Sequence, residues 1–66
     1  MTTRLWTKMQ TQQTVKALRQ AGYVVNRTND MYKCELDGEN VFTAMLGYKG
    51  YMVRYNPKLF GEEGEG

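Results

Sequence analysis

The hydrophobic period of this chain changes at Gly22, and that change decides most of what it can fold into. Before it, in TQQTVKALRQA, Val15, Leu18 and Ala21 recur at helical spacing. After it, through YVVNR, MYKCEL, ENVFTAML and YMVRY, apolar and polar residues alternate in twos, the period of half-buried strands. A helix with one apolar stripe must bury that stripe on something, and the strands that follow supply the surface. The pattern therefore predicts an α+β domain: one helix over about 11–21 packed on an antiparallel three- to four-stranded meander sheet over about 23–55. Thr11 is the expected N-cap, Arg19 lies near the negative end of the helix dipole, and Gly22 supplies the left-handed stop.

Turn chemistry divides the strands. Asn29-Asp30 separates the first from the second, and Asp37-Gly38 forms a two-residue hairpin turn of the kind that needs positive φ. GYKG bounds the next turn, and Asn56-Pro57 ends the last strand. Alternation assigns Val24, Tyr32, Cys34, Leu36, Phe42, Ala44, Leu46 and Val53 to the face under the helix. Arg27, Lys33, Glu35, Thr43, Met45, Met52 and Arg54 fall on the opposite face.

The first ten residues stand apart. At 100° per residue Leu5, Trp6 and Met9 centre nearly opposite the stripe of Val15, Leu18 and Ala21, so one straight helix cannot bury both sets. Residues 1–10 are read as an arm or short strand, with the alternation in RLWTKM permitting an edge strand. Residues 11–60 form the helix-plus-sheet domain, and residues 61–66, GEEGEG, an acidic tail expected to be disordered.

Length and composition exclude several alternatives. Sixty-six residues leave room for one thin core, and small domains often draw support from disulfides, a metal or a partner. Cys34 is the sole cysteine and there is no histidine, so neither an internal disulfide nor a Cys/His zinc finger is available. No metal and no cofactor are expected. A lone cysteine fits a reducing, cytoplasmic setting. The longest mainly apolar run, VFTAML, is too short to span a bilayer, so no membrane association is expected. The net charge of +2 conceals an asymmetry: residues 1–61 hold nine Lys and Arg against Asp30, Glu35, Asp37 and Glu39, and Glu62, Glu63 and Glu65 close the chain. A mildly basic body tolerates anionic partners without requiring them.

Catalytic sets are scarce. With no serine and no histidine, Ser-His-Asp and Cys-His arrangements are absent. Cys34 inside MYKCEL reads as a small core residue, and Glu35, Asp37 and Glu39 as solvated hairpin acids. GYKG lacks the spacing of a phosphate loop and precedes a strand where a helix is required. No catalytic residue is assigned and the chain is read as non-enzymatic.

Binding is better supplied. Tyr23, Tyr32, Tyr48, Tyr51 and Tyr55 are interleaved with Arg27, Lys33, Lys49 and Arg54, a mixture with which single-strand binders stack bases and neutralise phosphates. Tyr, Met, Trp and Arg are also the residues enriched where proteins grip one another. Met45 and Met52 beside Arg54 would form a pliable apolar patch rimmed by charge. The candidate partner-binding residues are Tyr48, Lys49, Tyr51, Met52, Arg54, Met45, Arg27 and Lys33. A host or partner protein is the expected ligand, single-stranded nucleic acid the alternative on the same face, and a homodimer is compatible with both.

The helix-then-strands order, with KALRQAGYVVNRTNDMYKCEL at its centre, resembles the layout of HicA-type mRNA interferase toxins. Those toxins carry a catalytic histidine in the strand after the turn, where this chain reads Asn29-Asp30-Met31-Tyr32, so the resemblance extends to layout and not to nuclease chemistry. In overall character the chain also resembles the small accessory proteins that bacteriophages make to bind host machinery. That resemblance implies a host protein as partner and modulation or inhibition as the effect.

Overall fold

The computed structural model describes residues 2–61. The acidic tail expected at 61–66 lies, apart from Gly61, outside the described residues. The described chain is an α+β domain of one helix packed on one antiparallel sheet. Its elements are β1 (Thr2–Trp6), α1 (Lys8–Gln20), β2 (Val24–Arg27), β3 (Met31–Leu36), β4 (Glu39–Leu46), β5 (Tyr51–Tyr55) and a 3-10 turn over Pro57–Phe60. The sheet has five strands in the order β1-β5-β4-β3-β2, one more than the meander alone provides. No helix among the described residues is long and apolar enough to cross a membrane.

The extra strand is the N-terminal arm. Residues Thr2 to Trp6 pair antiparallel with Tyr55 to Tyr51 and make β1 an edge strand. The strand lies earlier than RLWTKM suggests, because Thr7 leaves the ladder to cap the helix. Its backbone is extended, at φ −72° and ψ 163°, and its hydroxyl accepts a hydrogen bond from the Gln10 amide at 3.1 Å. The helix thus begins a full turn before the predicted Thr11 cap. Thr11 is instead buried, and its hydroxyl donates to the Thr7 carbonyl at 2.9 Å. At the other end Gly22 takes φ 105°, and the amides of Gly22 and Tyr23 donate to the carbonyls of Arg19 and Leu18. That is the paired bonding of a glycine-terminated helix, as predicted.

The Asp37-Gly38 hairpin forms with φ 54° and 80° at the two residues. Between β3 and β4 the register steps from Cys34 opposite Phe42 to Glu35 opposite Asn40, leaving Val41 as the extra residue of a bulge that packs against the core.

The core lies between α1 and the sheet. It contains Val15, Leu18, Tyr32, Cys34, Phe42, Ala44, Tyr51, Val53 and Tyr55. The helix covers mainly β2 and β3. The rest of that face is covered by an aromatic cluster in which Trp6 meets Phe42, Tyr55 and Phe60 at centroid distances of 5.7, 5.6 and 6.0 Å. The 3-10 turn delivers Phe60, its first turn capped by the Asn56 side chain, which accepts from the Lys58 amide at 3.0 Å.

Four inward assignments fail. Ala21, expected on the buried stripe with Val15 and Leu18, is exposed, because it is the C-cap residue at the end of the helix. Val24 is 57% exposed, while Val25 pairs with Cys34 and packs against the core. YVV offers apolar residues at both parities, so alternation could not choose between them, and the pairing of Val25 with Cys34 reverses the whole strand. Leu36 and Leu46 are exposed because they end their strands beyond the area that the helix covers.

Candidate functional site

The face of the sheet opposite the helix is covered by no element of the described chain, and its residues fall into rows across the strands. Cross-strand partners share a face, so register alone assembles them. One row is apolar: Leu5 pairs with Met52, Met52 with Met45, and Met45 with Met31. The next row is polar and cationic: Thr3 pairs with Arg54, Arg54 with Thr43, Thr43 with Lys33, and Lys33 with Asn26. Adjacent strands lie about 4.8 Å apart, so the apolar row of four side chains extends over about 14 Å. Leu5, Met45 and Met52 each expose about half of their surface, and Met31 is half-buried.

Leu5 and Met52 continue into a cavity of about 260 Å³ walled also by Gly47, Tyr48 and Lys49 of the β4–β5 turn. Gly47 donates to the Gly50 carbonyl at 2.6 Å, closing that turn and holding Tyr48 fully exposed at its tip. Thr43 donates to the Asn40 side chain at 3.0 Å, which steadies the middle of the cationic row.

Of the predicted binding residues, Met45, Met52, Arg54 and Lys33 share this face, and Tyr48 and Lys49 stand at its rim. Two do not join them. Tyr51 is buried under the helix side, because β5 alternates with Tyr51, Val53 and Tyr55 inward. Arg27 was expected on the open face, but the reversal of β2 places it opposite Tyr32 on the helix side, its guanidinium carbon 5.7 Å from the Tyr32 ring centre. Sequence reasoning missed Leu5 and Met31. Met31 shares the parity of Lys33 and was legible from alternation, whereas Leu5 joins the face only through the pairing of β1 with β5.

Cys34 is fully buried, and burial pushes its thiol up to about 11, an effect the nearby Arg19 charge partly opposes. Thiolate is therefore scarce at neutral pH, and Cys34 should resist a thiol reagent at pH 8 until the chain is unfolded by denaturant. Labelling of the folded protein at the rate of a free thiol would contradict this. Since the folded-state thiol titrates above the unfolded one, its contribution to stability is complete below about pH 9 and lost as pH rises toward about 11. The stability of the wild type relative to Cys34→Ala should fall across that window.

No family model, no curated protein and no solved structure matches this chain.

Proposed function

We propose that this chain is a non-enzymatic binding module that grips a partner protein through the open sheet face. Its character is that of a small phage or mobile-element accessory protein, and the partner a host protein modulated by occupation of its surface. One observation carries the reading. The open face presents a Leu/Met row beside an Arg/Lys row, while Tyr32, Tyr51 and Tyr55, on which nucleic-acid bases would stack, are turned into the core. Methionine rows adapt to apolar protein surfaces, whereas single-strand binders rely on exposed aromatic platforms.

The chemistry of the two rows describes the partner. Apolar side chains on it would meet Leu5, Met52, Met45 and Met31, and carboxylates beside them would meet Arg54 and Lys33. Magnitudes make the second row necessary. Burying the remaining half of an aliphatic side chain contributes about 1 kcal/mol, so the apolar row supplies about 4 kcal/mol in total. Association alone costs roughly 4–15 kcal/mol, so Tyr48 and the charged row must supply the surplus.

Affinity capture from host lysate, with and without nuclease, tests the proposal. A protein retained after nuclease treatment and lost with both Met52→Asp and Arg54→Glu supports it. Arg54→Glu should weaken that complex by roughly 1–3 kcal/mol with little change in denaturation midpoint, because the charge is solvated in the free protein. Capture that depends on nucleic acid would shift the assignment to the single-strand alternative.

A further inference from the structure

On the other side of the molecule, at the open edge of β2, three cations converge where the candidate face plays no part. Lys16 and Arg19 of α1 and Arg27 of β2 line a cleft of about 280 Å³, together with Gln12, Val15 and Tyr32. Lys16 and Arg19 are three residues apart on the helix and so project from one side of it. Arg27 reaches the same cleft from the sheet and lies over the Tyr32 ring. The cleft has no acidic lining residue. Among the described residues Lys16, Arg19 and Arg27 form no ion pair. Of the four acids of the described body, Glu35 lies on the opposite face, Asp37 and Glu39 sit at the far hairpin, and Asp30 is in the β2–β3 turn. Three like charges gathered without a counter-charge repel one another, and an anion between them would relieve that repulsion.

We infer that this cleft is a binding site for a small phosphomonoester. The charge count favours that ligand over a nucleic-acid strand: a monoester carries about −1.5 to −2 at neutral pH, concentrated on three oxygens, whereas a backbone diester offers one charge per group and needs a track of cations. Here the cations converge from two elements on one bounded cleft. Each guanidinium can present two parallel N–H donors to phosphate oxygens, and the Lys16 ammonium adds a point charge. Stacking on Tyr32 orients the Arg27 guanidinium before a ligand arrives. The Gln12 amide is a further neutral donor at the cleft wall, and Val15 with the Tyr32 ring gives an apolar floor for the organic part of the ester.

The test is titration of the full chain with inorganic phosphate and with phenyl phosphate, followed by backbone amide NMR shifts, against sodium chloride at matched ionic strength. Saturable shifts centred on residues 12–19, 27 and 32 are expected, with phenyl phosphate binding more tightly than inorganic phosphate. Arg19→Gln and Arg27→Gln should each lower the affinity at least fivefold and together at least twentyfold. Arg54→Gln on the opposite face should leave it unchanged. Lys16 and all three arginines are exposed, so these substitutions leave the core intact, and Lys16→Gln should likewise lower the affinity. Shifts reproduced by chloride, or affinity unaltered in the double variant, would overturn the inference. So would a single-stranded oligonucleotide that binds more than tenfold tighter than phenyl phosphate and is lost in the same variants, which would make the ligand a polymer.

Discussion

Gly50→Ala should destabilise this protein by about 3 kcal/mol, and for a domain of this size that approaches the entire stability. Gly50 has φ 147°, a conformation that side chains rarely adopt, and an added Cβ would meet the Trp6 carbonyl oxygen at 2.6 Å. That oxygen belongs to the end of β1, so relief of the clash must displace either the turn or the strand. Since 1 kcal/mol shifts the midpoint of a 60–100-residue domain by about 4–8 °C, the melting temperature should fall by roughly 12–24 °C. Gly38→Ala is the control. Gly38 also has positive φ, at 80°, but nothing lies within 4 Å of its would-be Cβ. Its substitution should cost about 1 kcal/mol, the conformational part alone. Equal losses in the two variants would show that the contact between Gly50 and β1 contributes nothing.

Trp6→Ala should cost about 3 kcal/mol, the low end for truncating a large aromatic because the side chain is only partly buried. The indole sits within 6.0 Å of the Phe42, Tyr55 and Phe60 ring centres, so its removal opens the cluster that covers the half of the sheet away from the helix. Tyr55 and Phe60 remain in contact at 5.0 Å, but Phe42 loses a neighbour. Trp6→Phe keeps a ring in place and should cost less than about 1.5 kcal/mol. Urea unfolding followed by far-ultraviolet circular dichroism measures both variants, since the substitution also removes the only tryptophan. A loss below about 1 kcal/mol for Trp6→Ala would mean that β1 docks through backbone pairing alone.

The two substitutions probe the least legible part of the fold. Residues 11–55 could be read closely from local pattern. The stripe of Val15 and Leu18 faces the sheet, Gly22 ends the helix, Asp37-Gly38 turns the hairpin, and Cys34, Phe42, Ala44 and Val53 form the core. The residues before Thr11 carried weaker signals. Lys8, Met9 and Gln10 add a helical turn with no apolar stripe of its own, held by the Thr7 cap. The candidate site divides in the same way. Met45 opposite Met52 and Thr43 opposite Arg54 followed from alternation around one short hairpin. The loss of Arg27 from that face followed from a one-residue ambiguity in YVV.

Sequence alone determined the kinds and order of the elements from α1 through β5 and most of their inward faces, because helical and strand periods are imposed by backbone sterics that act within a few residues. It also determined the absence of histidine, serine and a second cysteine, which removes whole classes of chemistry without reference to a fold. Tertiary structure decided which edge β1 joins, and thereby that Leu5 completes a row begun by Met31, Met45 and Met52. It decided that Val25 and not Val24 meets Cys34, sending Arg27 to the cleft with Lys16 and Arg19. The second depends on which register of a local hairpin buries more, the first on pairing between segments as far apart as residues 2 and 55. The free energies that select such pairings come from burial and ladder bonds that exist only once the chain has closed on itself, so no local window of sequence contains them.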